Sequence, residues 1–243
     1  MLILRRIAWN LPEGREILHP LDLTIPDGKL TVVTGPNGGG KTTLAKVIAG
    51  ILTPSSGQIL LDGEDITPLD VTQRARKGIS FAFQQPVRFK GLTVRDLLEL
   101  SAGRSLSDAE LCGLLGQVGL CAPEYAERQT DASLSGGEIK RIEIATVLAR
   151  GARISVFDEP EAGIDLWSFA SLIDTFKRLQ SSLSGSLLII SHQERILNIA
   201  DEIVVIADGR VRSQGSRQQV LPALMADESI ARCPLGKEKT PHE

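Results

Sequence analysis

Cysteine is scarce in this chain, with three residues in 243. Cys112, Cys121 and Cys233 are an odd set with no close pair. That spacing argues against a disulfide framework and against a zinc site built by this chain alone. Long apolar runs are missing as well. Hydrophobic residues make up 42% of the chain, yet no stretch approaches the ~20 apolar residues of a membrane span. Met1-Leu2-Ile3-Leu4-Arg5-Arg6 is too short an apolar run, with its charges on the wrong side, to read as a signal peptide. Nor is there an excess of positive charge. The net charge is −3 and the arginines are scattered, which speaks against a nucleic-acid partner. Internal repeats and low-complexity segments are also lacking. A cytoplasmic protein is expected, without direct membrane insertion but able to dock on a membrane partner. Its length suits one large domain or two closely joined subdomains.

What the chain does contain is a glycine-rich loop, Gly35-Pro36-Asn37-Gly38-Gly39-Gly40-Lys41-Thr42-Thr43. Glycine, four residues, glycine, lysine and threonine is the spacing of a phosphate-binding loop. Backbone N–H groups can point into a tight concavity only where side chains do not block them. Lys41 is expected to reach the β- and γ-phosphates, and the Thr42 hydroxyl to ligate Mg²⁺. Leu30 to Thr34 reads as a buried strand before the loop and Thr43 to Ala49 as a helix after it. The loop therefore lies between the elements it requires, with a helix N-terminus aimed at the phosphates.

The remaining pattern predicts an α/β chain. Residues 1 to 34 are β-rich, and Gln58 to Ile66 reads as a strand with an Asp-Gly turn, so a small antiparallel sheet is expected near the N-terminus. Asp70 to Lys77 is a short polar helix and Ile79 to Phe83 a strand. From there to about Arg150 the pattern is helical. Thr93 caps one helix, Ser107 with Glu110 forms a capping box for the next, and a third starts after Gly137. Buried runs at Ile154 to Phe157, Leu187 to Ile190 and Ile203 to Ala207 alternate with helices, which means a mostly parallel sheet covered on both faces. One domain over 1–232 is expected, with a core from 1–86 and 151–232, a helical subdomain from 87–150, and a polar tail at 233–243.

Two further stretches carry chemistry. Asp158 and Glu159 stand at the exit of a buried strand. There, Asp158 suits the Mg²⁺ shell and Glu159 the polarisation of an attacking water. Leu134-Ser135-Gly136-Gly137-Glu138 precedes a helix and makes a second anion-binding device. Taken alone it is equally a plain helix cap. One triphosphate does not need two such devices in one chain, whereas a head-to-tail pair of chains does.

At this point the sequence resembles the ATP-binding cassette ATPases over nearly its whole length. Residues 134–138 resemble that family's signature motif. The resemblance implies a P-loop NTPase core with an N-terminal antiparallel β subdomain and an inserted α-helical subdomain, with ATP and Mg²⁺ as cofactors. It further implies that Gln84 senses metal and water, that Asp165 in Gly163-Ile164-Asp165 belongs to the loop crossing the dimer interface, and that His192 contacts the γ-phosphate. Taken singly, Gln84 and His192 also read as strand-end polar residues and Asp165 as a helix N-cap. The aromatic residue that stacks adenine in many members has no counterpart here. Its place falls on Leu11. Either Trp9, two residues earlier on the same face of the strand, stacks adenine through a shifted register, or adenine is held by weaker apolar contact with Trp9 as core. The second reading implies weak discrimination between ATP and GTP.

Within that family, Phe81-Ala82-Phe83-Gln84-Gln85-Pro86-Val87, Glu138 and Lys140 in Ser135 to Arg141, Glu161 in Glu161 to Asp165, and Ser191 to Leu197 resemble the SufC-type ATPases of iron–sulfur cluster assembly. This resemblance implies soluble partners like SufB and SufD, docked on residues 87–103. The alternative partner is a transmembrane permease subunit, and a third reading is a nucleotide-gated binding module with little hydrolysis.

Overall fold

The structure is a computed structural model and describes residues 1–226 apart from 86, 132, 183 and 184. Pro86, Cys233 and the polar tail lie outside the described residues.

The N-terminal sequence forms a long hairpin, β1 (Leu2–Asn10) and β2 (Glu16–Ile25). The sequence pattern breaks at Arg5-Arg6, yet the strand continues through it. Arg6 takes a left-handed φ of 47° and the register slips between Leu4 and Ile7. This is a bulge, which returns Ile7 to the buried face beside Leu2 and Leu4. After β3 (Leu30–Thr34) and α1 (Lys41–Ala49), the chain forms β4 (Ser56–Leu61) and β5 (Glu64–Asp65). Both turn residues between them, Asp62 and Gly63, have positive φ, as a two-residue Asp-Gly hairpin demands. These strands make a four-stranded antiparallel sheet in the order β2-β1-β4-β5.

Next come α2 (Val71–Arg76) and β6 (Ile79–Ala82), then α3 (Val94–Ala102), α4 (Asp108–Gln117), α5 (Ala122–Tyr125) and α6 (Gly136–Ala149). Asp70, Thr93, Ser107 and Ser135 each close a capping box with the residue three places on. The two donors satisfied in each box fix where these helices begin. The chain ends with β7 (Ile154–Asp158), α7 (Leu166–Ser182), β8 (Ser186–Ile190), α8 (Glu194–Leu197), β9 (Glu202–Ala207), β10 (Arg210–Ser216) and α9 (Arg217–Ala226).

The second sheet has six strands in the order β10-β9-β3-β8-β7-β6, parallel except for β10. Its faces are both buried. Leu30, Val32, Phe157, Leu187 and Ile189 pack with α3, α4, α6 and α7 on one side. Val33, Ile154, Val156, Leu188 and Ile190 pack with α1 and the antiparallel sheet on the other. The alternation follows from the two-residue repeat of a strand. Phe157 meets Phe176 of α7 edge to face at 5.2 Å, a contact that contributes about 1 kcal/mol beyond its buried area. Because β3, β6, β7 and β8 run the same way, their C-terminal ends share one edge of the sheet. In open parallel sheets ligands bind at that edge.

Candidate active site

Four strand ends supply the site. β3 leads into the glycine loop, β6 into Gln84, β7 into Asp158 and Glu159, and β8 into His192. The loop's shape is fixed by close backbone approach. A Cβ on Gly35 would lie 2.0 Å from the Ile206 carbonyl oxygen, and one on Gly39 would lie 2.9 Å from the same atom. The Gly39 carbonyl accepts from the Gly209 N–H at 3.0 Å, which ties the loop to the β9–β10 turn. Pro36, Asn37 and Gly38 at the tip are exposed, and α1 begins at Lys41-Thr42-Thr43.

The buried Lys41 ammonium donates to the Gly35 and Pro36 carbonyls at 2.9 Å each. Burial lowers its pKa, and the charges of Glu159 and Asp158 push it back up. The Thr42 hydroxyl donates to Asp158 Oδ1 at 3.0 Å. Asp158 is 2% exposed, and burial raises its pKa while the Thr42 hydrogen bond opposes the rise. A buried carboxylate beside a hydroxyl calls for a cation, and a hard divalent ion takes such oxygen donors. Among the described residues no cluster of three or more His, Cys, Asp or Glu could hold a metal. A cation here would therefore draw on Thr42, Asp158 and the Gln84 amide, with the rest of its shell from phosphate and water.

Glu159 has a left-handed φ of 45°, a conformation that costs a non-glycine residue about 1 kcal/mol or more. Its N–H donates to the Ile190 carbonyl at 3.0 Å, and Gln84 Nε2 donates to its Oε2 at 2.6 Å. The structure thus joins Gln84 to Glu159, and Thr42 to Asp158. His192 is exposed directly after β8, and its Nε2 lies 3.4 Å from Gln193 Nε2.

Ser135, Gly136, Gly137 and Glu138 belong to a second cluster. The Ser135 hydroxyl accepts from the Glu138 N–H at 3.2 Å, and Glu138 Oε2 accepts from the Ser135 N–H at 2.7 Å. Tyr125 donates to Glu138 Oε1 at 2.5 Å, with Arg128 stacked 4.9 Å from the Tyr125 ring centre. These donors hold the Glu138 carboxyl down at about 2. A Cβ on Gly137 would meet Ser168 Oγ at 2.4 Å, and one on Gly136 would meet the Gly163 carbonyl at 3.2 Å. Asp165 is the N-cap of α7. Its Oδ1 accepts from the N–H groups of Trp167 and Ser168, and its Oδ2 from the Ser168 hydroxyl. The starts of α6 and α7 are thereby packed together, with Leu166 and Trp167 exposed beside them.

The sequence profile of the ABC transporter family matches residues 18–162. The chain belongs to the ABC transporter family. It carries that family's ATP-binding cassette, the fold expected from the motifs. Among relatives, an uncharacterized ABC transporter ATP-binding protein of Methanocaldococcus jannaschii is 36% identical over 215 residues, covering 85% of this chain and 86% of that protein. The lipopolysaccharide export ATP-binding protein LptB of Escherichia coli is 30% identical, with 93% of each chain covered. Among solved structures, CbiO1 of Clostridium perfringens, part of the transporter complex CbiONQ, superposes with a TM-score of 0.79 at 28% identity, over 91% of this cassette and 90% of that chain.

Several contacts of the cassette escaped the sequence reading. Lys140 and Glu143 of α6 reach back to the backbone at Phe83 and Gln84. Glu161, in the turn after β7, accepts from the Ser191 hydroxyl beside His192, and its other oxygen is buried with no hydrogen-bond partner among the described residues. Burial raises the Glu161 pKa, and the Ser191 hydrogen bond opposes the rise. A lysine and a glutamate three apart within the apolar run Ile139, Ile142, Ile144 were the available signal for the first pair. For adenine, Trp9 packs on the core opposite Leu18, while Leu11 lies in the β1–β2 turn, its N–H donating to the Arg15 carbonyl.

Proposed function

We propose that this cassette hydrolyses ATP as one half of a head-to-tail pair and drives movement in a membrane permease docked on it. The single observation that supports hydrolysis best is the joined set of Thr42–Asp158 and Gln84–Glu159 hydrogen bonds at one edge of the sheet. Lys41 neutralises charge on the β- and γ-phosphates. Asp158, Thr42 and Gln84 would hold Mg²⁺, which shields phosphate charge during transfer. Glu159 orients the water that attacks the γ-phosphorus. His192, exposed at the end of β8, stabilises charge on the γ-phosphoryl oxygens. Ser135 to Glu138 of the opposite copy close the site, with Asp165 at the seam. Exposed Leu166 and Trp167, the latter 83% exposed, favour such a seam, since large apolar side chains together at a surface mark contacts.

The partner surface lies along β6 and the chain that follows it. Phe83, Val87 and Phe89 are exposed and line a groove with Phe81, Leu97 and Ile142. The described relatives named above are transporter ATP-binding proteins, which supports a permease. No helix among the described residues is long and apolar enough to cross a membrane itself.

A second reading, a SufC-type role with SufB/SufD-like scaffolds, is favoured by Lys140 and Glu161. At both positions the sequence resembles that subfamily, and both side chains are built into the site: Lys140 on the Gln84 carbonyl and Glu161 on Ser191.

The test is an ATP-dependent pull-down with Glu159→Gln from native cells, followed by mass spectrometry of soluble and membrane fractions. This variant should keep ATP binding, trap the pair and lose turnover by ~10²- to 10⁴-fold. Recovery of a multi-span membrane protein supports the permease; soluble scaffolds alone would replace it with the Suf-type reading. Turnover at the parental rate would reject Glu159 as the water-orienting group. With no aromatic assigned to adenine, ATP and GTP should bind within a few-fold of each other by calorimetry, and a strong ATP preference would overturn that expectation.

A further inference from the structure

β6 ends one residue earlier than its apolar pattern. The last pair with β7 is Ala82 with Phe157. At Phe83 the backbone leaves the sheet, and side chains of α6 take over its hydrogen bonds. The Phe83 N–H donates to Glu143 Oε1 at 3.0 Å. Lys140 Nζ donates to the Phe83 carbonyl at 2.6 Å and to the Gln84 carbonyl at 3.2 Å. It also pairs with Glu143 Oε2 at 2.9 Å, and its side chain is 2% exposed. Burial pushes the Glu143 pKa up and Lys140 pulls it back. Lys140 and Glu143 stand three apart on one helical face. The same helix begins at Gly136 and Gly137, about 6 Å away along its axis.

We propose that Lys140 and Glu143 are positioning residues that hold Gln84 in place and tie it to the signature end of α6. The inference rests on the role given to Gln84 in ATP hydrolysis. Among the described residues nothing else bonds the Gln84 backbone, and its side chain reaches Glu159. A buried ion pair is a demanding anchor, because losing one partner leaves the other charged group without water. Movement of α6 on closure of the pair must then carry Gln84 with it. The binding of the opposite phosphate at Ser135 and the placement of the amide beside Glu159 become one event.

The test compares Lys140→Met, Lys140→Arg, Gln84→Ala and the double variant Lys140→Met/Gln84→Ala in the full chain. Two quantities are read: kcat against KM for ATP, and the Mg²⁺ concentration for half-maximal binding of a non-hydrolysable ATP analogue by calorimetry. Lys140→Met should reproduce Gln84→Ala, with kcat lowered and the Mg²⁺ requirement raised by roughly 10-fold while KM changes little, since groups that hold a metal donor in place act on affinity at that scale. The double variant should be no worse than either single one, as coupled residues are. Lys140→Arg, which keeps the charge and donors, should stay close to the parent. If Lys140→Met folds poorly, Glu143→Gln tests the same tie and should shift both quantities in the same direction. Should Gln84→Ala alter both quantities while Lys140→Met and Glu143→Gln alter neither, the tie is refuted and the role of Gln84 stands. Should Gln84→Ala alter neither, its role in the reaction falls and the inference falls with it.

Discussion

The glycine loop and the start of α6 are both helix N-termini with glycines, yet they are built in opposite ways. In the loop, glycines clear space for backbone packed against Ile206 and Gly209, and the charged groups around it stay ill at ease. Burial lowers the Lys41 pKa and raises that of Asp158, which is the signature of a site that wants a charged ligand. At α6, the polar groups are already answered. Ser135 and Glu138 satisfy one another, Tyr125 and Arg128 hold Glu138 ionised, and Asp165 caps α7 alongside. A partly desolvated end binds by itself. A relaxed, exposed end adds donors to a ligand that something else holds. On the proposed reading, the first is the primary phosphate site and the second is offered to another copy.

The largest effect that could break this contrast comes from mixing two disabled chains. Lys41→Ala removes the charge from the loop, and Ser135→Glu places a negative charge where a phosphate would come. Each alone should be nearly inactive. In a head-to-tail pair, the mixed dimer has one complete site, made by the loop of one chain and the signature end of the other. Random pairing gives half mixed dimers with one of two sites intact, so an equal mixture should recover about a quarter of parental ATPase activity. If the mixture stays as inactive as its components, the two ends do not meet across a dimer.

A smaller effect should come from the contact between α6 and α7. Gly137→Ala drives a methyl group into Ser168, whose Oγ and Cβ lie 2.4 and 2.7 Å from the new atom. Overpacking of this kind costs about 1–3 kcal/mol. The strain falls on the pairing surface and not on the loop, so ATP binding by the isolated chain should hold while steady-state turnover falls by roughly 10-fold, the rate equivalent of about 1.4 kcal/mol. Adding Ser168→Gly, which removes both clashing atoms, should restore much of the loss. A Gly137→Ala chain with lost ATP affinity and unchanged turnover per bound ATP would reverse the assignment of the two ends.

The loop was legible in the sequence because backbone geometry demands glycine at positions such as Gly35, where any side chain would strike the Ile206 carbonyl. Caps at Thr93 and Ser107 were equally legible, since a capping box is a contact between residues three apart; the box at Asp70 was read only as the start of a polar helix. Non-local or weakly patterned elements were not. Among the described residues β10 is mostly exposed and pairs only with β9, and α9 carries a single buried residue, Val220, so neither leaves an apolar period to read. The hold of Lys140 on Phe83 spans 57 residues, and no local spacing announces it. Asp165 shows the limit from the other side. The structure makes it the N-cap of α7, and a side chain that caps its own helix can also face a second chain.

The smallest effect concerns Glu138 and sharpens the claim that its end is already satisfied. Its carboxyl lies at about 2 against an ordinary 4.5, chiefly through the Tyr125 hydroxyl and the Ser135 donors, with burial opposing. A carboxyl depressed in the folded state contributes stability that is fully present above about pH 4.5 and is lost as the pH falls towards 2. With solvent screening of this partly exposed group, that contribution amounts to about 1–2 kcal/mol. Glu138→Gln should therefore unfold at lower denaturant than the parent at pH 7, and the gap should narrow as the pH drops through 4.5 towards 2. Urea unfolding at a series of pH values reads this directly. A gap that stays constant down to pH 2.5 would mean that the glutamate acts by shape alone. Its ionisation would then have no part in holding the signature end, and the contrast with the charged, ligand-seeking loop would lose one of its two sides.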